Sequence, residues 1–427
     1  MTAPRAVVVL TGSELVRGDK EDRNGAFLAR ELTRLGLEPE RIAIVGDAPG
    51  ALEQAVREGL EADLCILSGG LGPTHDDRTI EMLAHAAGRA LVVDAALERE
   101  IEAVARGIAE RLTRPYEDFA PGVRKQASLP EGGVALGLAG TAPAVLLERD
   151  GRVAVTLPGP PEELRRLWPR VLEAEALQAV IRRAELPRHR VLRLFGPSES
   201  AVARLLEESG GEGGGLDVTI CAHAFEIRVD VFARGDADER AERLAQAVRE
   251  RFGDDLFAED ERTVAELVLD RCRELGWTLA TAESCTGGLV GARLTEVPGA
   301  SAVYAGGFVA YANEAKARLL GVPMELLERH GAVSPEAAAA MAHGARRALG
   351  AEVALAVTGI AGPGGGTEEK PVGLVVFHAA AGVSEWVDAV RIPGDREAVR
   401  SRATALALHG LRRLLARTGT HAHDPGG

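Results

Sequence analysis

Short apolar runs alternate with amphipathic stretches near the start of the chain, and this alternation restricts the fold more than any other feature. Buried strands are predicted at 5–10, 41–46 and 63–68, with helices between them at 24–36 and 50–60. Strands joined by helices pair in parallel and need both sheet faces covered, so the pattern predicts an α/β fold. Ligands bind such sheets at the carboxyl ends of the strands. The segments 11–14 and 69–77 fall at that edge.

The chain of 427 residues is too long for one hydrophobic core. We predict an N-terminal α/β domain at 1–172, a small α+β middle domain at 173–256 and a C-terminal α/β domain at 257–418. A disordered tail is predicted at 419–427. In the middle domain Ile227, Val229 and Val231 alternate with polar residues, which is typical of a half-buried strand. The acidic segment 252–263 is interpreted as a linker.

Charge and cysteine usage exclude several classes of protein. The 50 basic and 64 acidic residues give a net charge of −14, which argues against direct binding of nucleic acid. The four cysteines are scattered without a C-x-x-C pair, as expected for reduced thiols in the cytoplasm. The apolar runs are too short for a signal peptide or a membrane span. We therefore expect a cytoplasmic protein with neither a membrane nor a nucleic acid as its partner.

The segment T-A-E-S-C-T-G-G (281–288) places two candidate nucleophiles, Ser284 and Cys285, at a predicted turn from a buried strand into a helix. A serine needs a base before it can attack a carbonyl carbon. Only four of the 50 basic residues are lysines. With Asn313 as N-cap, Lys316 is the third residue of a helix, where the dipole opposes an ammonium and lowers its pKa. The sequence therefore predicts a Ser-Lys hydrolase, with Lys316 as general base and then general acid.

Neighbouring groups complete the predicted hydrolase site. Backbone N–H groups of the turn are candidates for an oxyanion hole, and they belong to Cys285, Thr286, Gly287 and Gly288. Tyr311, at the end of the strand before Lys316, is predicted to relay the proton or to orient the amine. A strand aromatic in the core is the alternative interpretation of Tyr311.

Cys285 is the competing nucleophile, and it would need a histidine partner. His330, His343 and His378 lie in predicted helices or strands without an obvious orienting carboxylate. We therefore interpret Cys285 as a small, buried and inert thiol.

Two more segments of the C-terminal domain suit a polar or anionic ligand. The glycine-rich segment 358–373 begins with Thr358 and Gly359 after a buried strand and offers free backbone N–H groups, although a plain turn is the alternative. Asp395 is predicted to cap a helix at which Arg396 can reach an anion.

The segment S-G-G-L-G-P-T-H-D-D-R-T (68–79) combines a glycine-rich turn with paired carboxylates. Glycines admit a phosphate to the backbone, and Asp76 and Asp77 suit a hard divalent cation, with Glu14 as a third ligand. The alternative is that these acids only complement a helix dipole. The residues predicted to contact a substrate in this domain are Gly69, Gly70, Gly72, Thr74, Thr79, Asn24, Lys125, Pro158 and Gly159.

The motifs "AESCTGG", "GGFVAYANEAKARLLGV", "HGAVS", "TGIAGPGGGTEEKPVG" and "PGDREAVR" together resemble the nicotinamide-nucleotide amidase domain over nearly all of 259–415. The resemblance implies deamidation of nicotinamide mononucleotide to nicotinate mononucleotide and ammonia, without a metal or other cofactor. The family's serine, tyrosine and lysine correspond to Ser284, Tyr311 and Lys316. Residues assigned to substrate contact in this domain are Cys285, Thr286, Gly287, Gly288, Asn313, Thr358, Gly359 and Arg396.

Residues 1–170 resemble the molybdopterin-binding fold family through "TGSEL", "SGGLGPTHDD" and "LPGPPEEL", which implies a three-layer αβα domain. The whole chain resembles the CinA competence/damage-inducible family. This resemblance implies that the N-terminal domain is a metal-dependent ADP-ribose pyrophosphatase, which forms AMP and ribose 5-phosphate. Leu71 stands where the molybdopterin motif has threonine, which disfavours pterin binding.

Three functions are consistent with these residues. The first is a bifunctional pyridine-nucleotide hydrolase acting on nicotinamide mononucleotide and ADP-ribose. The second is a non-enzymatic nucleotide sensor or partner-binding protein in competence or DNA-damage response, and the third is molybdopterin handling. A serine with an unfavourably placed lysine favours the enzyme, because binding alone needs neither. A homodimer is expected from the family and from the prevalence of symmetric dimers.

Overall fold

The computed structural model describes residues 4–211 and 213–418, so the predicted disordered tail, 419–427, lies outside the described residues. The chain forms two compact units, Met1–Pro187 and Arg188–Gly427. The first unit ends later than the predicted boundary at residue 172, because a helix at Glu175–Ile181 packs Leu177 and Val180 into the first unit's core. No helix in the described ranges is long and apolar enough to cross a lipid bilayer.

The first unit has the predicted α/β alternation. Its elements are β1 (Arg5–Thr11), α1 (Ser13–Val16), α2 (Asn24–Arg34), β2 (Glu38–Val45), α3 (Pro49–Gly59), β3 (Leu64–Ser68), α4 (Thr79–Ala87), β4 (Leu91–Val93), α5 (Ala95–Leu112), α6 (Ala120–Gln126), β5 (Ser128–Pro130), β6 (Val134–Ala139), β7 (Ala142–Arg149), β8 (Arg152–Leu157), α7 (Pro161–Leu172) and α8 (Glu175–Ile181). Within residues 4–187 the main sheet has the order β2-β1-β3-β8-β7-β6. Strands β1, β2, β3 and β8 pair in parallel, and β7 and β6 continue the sheet antiparallel.

Strand β1 shows why this sheet is covered on both faces. Successive side chains point to opposite faces of a strand, and both sets are apolar here. Val8 and its same-face neighbours pack in a core with Leu28 of α2 and Trp168 of α7, while Val9 packs in a second core with Val56 of α3. The result is the expected three-layer αβα domain.

The second unit begins with a small α+β domain. Its elements are β9 (Arg188–Phe195), α9 (Glu199–Glu208), β10 (Leu216–His223), β11 (Glu226–Ala233), α10 (Asp238–Phe252) and β12 (Leu256–Ala258). Within 188–211 and 213–258 they form an antiparallel sheet of order β10-β11-β9-β12. The predicted alternation in β11 is confirmed, because Ile227, Val229 and Val231 are buried against the helices.

The predicted linker at 252–263 is wrong in part, and so is the boundary at residue 256. Strand β12 pairs with β9 and belongs to the middle sheet.

His409, from the last helix in the described residues, joins the two parts of this unit. Its ring is buried, stacks on Phe195 with centroids 3.8 Å apart and contacts Glu226 at 2.9 Å.

The C-terminal domain is the second α/β sheet. Its elements are α11 (Val264–Leu275), β13 (Leu279–Glu283), α12 (Leu289–Thr295), β14 (Tyr304–Val309), α13 (Asn313–Leu320), α14 (Met324–His330), α15 (Pro335–Leu349), β15 (Val353–Gly359), β16 (Leu374–Ala381), β17 (Ser384–Arg391) and α16 (Arg396–Arg417). Within 259–418 the strand order is β14-β13-β15-β16-β17, with β14, β13 and β15 parallel. Strands β16 and β17 are antiparallel to their neighbours.

The two faces of this sheet carry side chains of different size. Leu279 of β13 and Phe377 of β16 face α11, α12 and α16, whereas Ala282 of β13 and Ala356 of β15 face α15. The small side chains let the alanine-rich helix α15 pack closely on the sheet. The carboxyl ends of β13 and β15 lie side by side at one edge of this sheet, and the candidate site is at that edge.

Candidate functional site

Ser284 lies immediately after β13, at the carboxyl end of a central strand. Its backbone N–H donates to the carbonyl of Val357 on β15 at 2.9 Å, which fixes the residue to the sheet. The chain then turns through Gly287 and Gly288, with φ of +61° and +100°, before α12 begins. Only glycine adopts such angles without strain. The turn thus holds the serine at the sheet edge where ligands bind in α/β folds.

Lys316 reaches Ser284 from α13. Its Nζ lies 3.2 Å from Ser284 Oγ and 3.1 Å from the carbonyl oxygen of Tyr311. The predicted helix start is one residue off, because Ala312 is the N-cap and Asn313 is the first helical residue, with no side-chain cap. Lys316 is therefore the fourth helical residue, and its buried side chain crosses to the serine.

The environment of Lys316 disfavours a charged amine. The residue is 1% exposed, and both of its hydrogen-bond partners are neutral oxygens. No carboxylate among the described residues forms an ion pair with it. Burial lowers the pKa of Lys316 below its usual 10.5. A neutral amine at this distance can accept the hydroxyl proton of Ser284.

The structure places Tyr311 differently from the predicted proton relay. Its side chain is 58% exposed, and its hydroxyl accepts a hydrogen bond from Arg396 Nη2 at 2.9 Å. The residue orients Lys316 through its backbone carbonyl and not through its hydroxyl. The contact agrees with the predicted orientation of the amine, although it comes from the backbone carbonyl, and the tyrosine hydroxyl is bonded to Arg396 and not to Lys316.

The turn offers fewer free N–H groups than predicted. The N–H of Gly287 donates to the carbonyl of Ser284, and that of Gly288 donates to Glu283. The N–H groups of Cys285 and Thr286 are directed at the Cys285 thiol, and their hydrogen bonds partly offset the rise in its pKa. A thiol sulfur is a weak acceptor, so these two N–H groups are the candidate donors for an oxyanion beside Ser284.

The other predicted contact residues fall into buried and open positions. Thr358 is buried and donates to the carbonyl of Ala332 at 2.7 Å, so its hydroxyl is already used. Gly359 leaves room for the Cys285 thiol, since a Cβ there would lie 3.0 Å from the sulfur. Asn313 is exposed. Arg396 follows its predicted cap, Asp395, which accepts from the N–H of Ala398, and the guanidinium also donates to the carbonyl of Gly362.

Cys285 is buried, and burial raises its pKa to about 12. The prediction that these histidines lack an orienting carboxylate is wrong. His343 and His378 lie 2.9 and 3.6 Å from Glu385, and His330 lies 3.5 Å from Glu336. The sequence could not show the pairs with Glu385, because the register of β16 and β17 and the packing of α15 bring them together. Among the described residues these histidines contact glutamates and not the Cys285 thiol.

Glu283 is a functional residue that the sequence interpretation missed. It is 2% exposed, and its carboxylate accepts from the N–H groups of Gly288, Val290 and Gly291 at 2.9, 3.1 and 2.8 Å. The carboxylate thus holds the start of α12 and the turn that carries Ser284. An acidic residue directly before a glycine turn into a helix was the available signal.

Replacing Glu283 with glutamine is expected to loosen this turn. A neutral amide keeps one acceptor oxygen but turns an NH2 toward donor N–H groups, so the protein should lose about 1.5–3 kcal/mol of unfolding free energy. Because the group positions Ser284, kcat for any reaction at that serine should fall while KM changes little. Denaturant unfolding and steady-state kinetics measure the two effects. The exposed Glu325→Gln on α14 is the matched control, and equal kinetics for both variants would contradict the positioning role.

In the first unit, a cleft of about 910 Å³ lies at the carboxyl edge of the main sheet. Predicted residues that line this cleft are Glu14, Asn24, Gly69, Gly70, Gly72, Asp76, Asp77, Pro158 and Gly159. Asn24 Nδ2 donates to Ser68 Oγ and to the carbonyl of Gly159, which joins the loops after β3 and β8. Gly69 and Gly70 have φ of +102° and +60°, and a side chain at Gly69 would collide with the carbonyl of Thr11.

Three residues predicted to contact the substrate in this domain make hydrogen bonds to the loop after β3. Thr79 is buried and donates to the carbonyl of Gly69 at 2.7 Å. Thr74 binds both Asp76 and Asp77 through its hydroxyl, and Lys125 donates to the carbonyl of Thr74. These contacts shape the acidic loop and leave Lys125 with further N–H donors, since an ammonium carries three.

The predicted metal ligands line one cleft but do not form a ready three-ligand group in the part of the chain that the structure describes. Asp76 and Asp77 turn toward Thr74, while Glu14 pairs with Lys20 at 3.4 Å. The hydrogen bond from Thr74 lowers the pKa of Asp76. The sequence interpretation missed Asp47, which also lines the cleft and follows β2 at the same sheet edge.

A molybdopterin-binding-type α/β domain, a KH-type α+β domain and a CinA-type α/β domain define this class of protein. The corresponding family models are "Probable molybdopterin binding domain", "Damage-inducible protein CinA KH domain" and "CinA C-terminal domain", which match residues 7–178, 189–258 and 261–415. The chain belongs to the CinA-like protein family, which confirms the resemblance found in the sequence.

Full-length relatives support this assignment. The chain is 43% identical over 422 residues to a CinA-like protein of Mycobacterium sp. (strain JLS), covering 96% of this chain and 99% of that protein. It is 42% identical over 422 residues to a CinA-like protein of Mycobacterium tuberculosis (strain ATCC 25177 / H37Ra), covering 96% and 97%. A solved competence/damage inducible protein, CihA from Agrobacterium tumefaciens, is 43% identical and covers 37% of this chain and 99% of its own, with a TM-score of 0.35.

Proposed function

We propose that the C-terminal domain is a Ser-Lys amidase that converts nicotinamide mononucleotide and water to nicotinate mononucleotide and ammonia. The 3.2 Å contact between Lys316 Nζ and Ser284 Oγ carries this proposal. A buried amine without a carboxylate partner is costly as an ammonium and useful as a base. A protein that only binds nucleotides has no need of such a pair.

The reaction follows the chemistry of acyl transfer. Ser284 Oγ attacks the amide carbon while Lys316 takes the hydroxyl proton, and the N–H groups of Cys285 and Thr286 stabilise the oxyanion. The protonated Lys316 then donates to the leaving nitrogen, so that ammonia departs and an ester with Ser284 remains. Water hydrolyses this ester, with Lys316 again accepting a proton. No metal or cofactor enters either step.

The groups around the pair suit a pyridine nucleotide. Arg396 and Tyr311 lie side by side with the tyrosine side chain open to solvent. A guanidinium recognises phosphate oxygens, and a tyrosine ring offers a face for a flat heterocycle. This combination supports a nucleotide amide in preference to a free amide such as glutamine.

For the N-terminal domain we propose metal-dependent hydrolysis of ADP-ribose to AMP and ribose 5-phosphate. The cleft is of a size that suits a nucleotide, and carboxylates of Asp76, Asp77 and Glu14 line it. Mg²⁺ is commonly held by one or two carboxylates together with substrate phosphates. Such an ion would polarise the diphosphate and lower the pKa of a bound water, while the glycine loop at Gly69 and Gly70 lets phosphate approach the backbone.

The two activities are separable by their metal requirement. Purified full-length protein should release equimolar ammonia and nicotinate mononucleotide from nicotinamide mononucleotide in excess chelator. The same chelator should abolish AMP formation from ADP-ribose, and Mg²⁺ or Mn²⁺ should restore it. Coupled ammonia detection and nucleotide chromatography measure both reactions. Retained nucleotide binding with neither product would instead support a non-enzymatic sensor.

A further inference from the structure

Three potential metal ligands meet on the α15 face of the C-terminal sheet, outside the Ser284 site. His343 comes from α15, His378 from β16 and Glu385 from β17. Glu385 Oε1 lies 2.9 Å from His343 Nε2, and Oε2 lies 3.6 Å from His378 Nε2. One ligand atom from each residue lies within 4.8 Å of the other two. Strand β15 separates β16 from β13, the strand that leads to Ser284.

The strand register accounts for the meeting. Ala380 pairs with Glu385 across β16 and β17, so His378 and Glu385 are diagonal neighbours on one face of the antiparallel pair. His343 is added from α15, which packs on that face, and its ring lies at 77° to that of His378 with centroids 5.4 Å apart. The backbone of three elements therefore fixes the arrangement.

The state of His378 points to a ligand. The residue is 4% exposed, and its Nε2 has no hydrogen-bond partner among the described residues. That nitrogen is directed toward Glu385. Buried polar atoms of native proteins nearly always have a partner, and an ion is one explanation for an exception.

The ligand atoms lie near the spacing that a metal ion requires. Bonds of about 2.0–2.2 Å to nitrogen and carboxylate oxygen place neighbouring ligands about 3.3 Å apart. The 2.9 and 3.6 Å separations involve the two different oxygens of Glu385, and one ligand atom from each residue lies within 4.8 Å of the other two, so a bound ion would draw these atoms closer together. Two imidazoles and one carboxylate also favour Zn²⁺ or Co²⁺ over Mg²⁺, which prefers oxygen ligands.

We propose that His343, His378 and Glu385 form a binding site for a divalent transition metal such as Zn²⁺. The fourth position of the ion faces solvent, because Glu385 and His343 are partly exposed, at 51% and 40% of their side chains. The ion links the edge strand β17 to α15. This site lies apart from the Ser284 and Lys316 pair and is independent of the proposed hydrolytic activities.

The test compares Zn²⁺ uptake by metal-free full-length wild type, His343→Ala and Glu385→Gln. Excess Mg²⁺ in the buffer competes with Zn²⁺ for carboxylate sites such as the acidic N-terminal cleft, and atomic absorption after equilibrium dialysis against Zn²⁺ counts bound ions. Wild type should hold one Zn²⁺ more per chain than either variant, or bind that ion at least about 10-fold more tightly. With Co²⁺ as probe, wild type alone should show the intense visible bands of a tetrahedral site.

His330→Ala is the matched control, because His330 also faces a glutamate but lies outside the cluster. It should bind Zn²⁺ as wild type does. The His343 and Glu385 variants change partly exposed side chains, so circular dichroism without metal should show an unchanged fold. Equal Zn²⁺ uptake and equal Co²⁺ spectra for wild type and these two variants would overturn the proposal.

Discussion

Alanine at position 284 should lower kcat/KM for ammonia release from nicotinamide mononucleotide by at least about 10³-fold, whereas Cys285→Ala should retain most of the activity. Ser284 Oγ is the hydroxyl that faces Lys316 Nζ. Burial raises the pKa of the Cys285 thiol to about 12, so almost none of it is thiolate at neutral pH. The steady-state rate with excess chelator measures the difference.

The Ser284→Ala variant should still bind the substrate. The substitution removes one small hydroxyl, and Arg396 and Tyr311 stay in place, so calorimetric titration should give a Kd within a few fold of the wild-type value. Thermal unfolding checks that both variants fold. The serine mechanism fails if Ser284→Ala turns over normally while folded Cys285→Ala does not.

The fold was predictable where a segment carries its own pattern. The alternation of apolar strands and helices around β1 predicted a sheet covered on both faces, and the alternating side chains of β11 predicted a half-buried strand; both predictions are confirmed. Strand β12 was not predicted, because three residues are too few to show a periodic pattern. Its partner, β9, is also far away in the sequence. Helix α8 was assigned to the wrong unit because its partners are far away in the chain.

The site was predictable in its chemistry but not in its atoms. The sequence indicated Ser284 and Lys316 because a scarce residue type stands at an electrostatically unfavourable position. It did not indicate that Tyr311 contacts Lys316 through its carbonyl, since side-chain direction depends on the local backbone. Glu283 was missed because its role depends on three N–H groups that converge only in the folded turn.

Lys316→Arg should lower kcat/KM by about 10²–10⁴-fold, because arginine cannot lose its proton and so cannot serve as a base. In the wild type the active form is the neutral amine. Burial lowers the pKa of Lys316 below 10.5, so kcat/KM should rise with pH and reach its plateau below 10.5. A rate–pH profile of the wild type measures the midpoint. An active Lys316→Arg enzyme would exclude lysine as the base.

The same pKa shift affects stability, and Lys316→Met isolates that effect because methionine fills the site without a charge. Between the folded and unfolded pKa values the unfolded chain binds more protons than the folded one, so the unfolding free energy rises with pH in that window. Wild type should therefore gain stability relative to Lys316→Met as pH rises toward 10.5, and below the folded pKa it should carry the full cost of a buried ammonium. Denaturant unfolding across this range gives the difference. Parallel curves for the two proteins would mean that the amine titrates normally, and an inactive Lys316→Met would then indicate a positioning role for Lys316 in place of proton transfer.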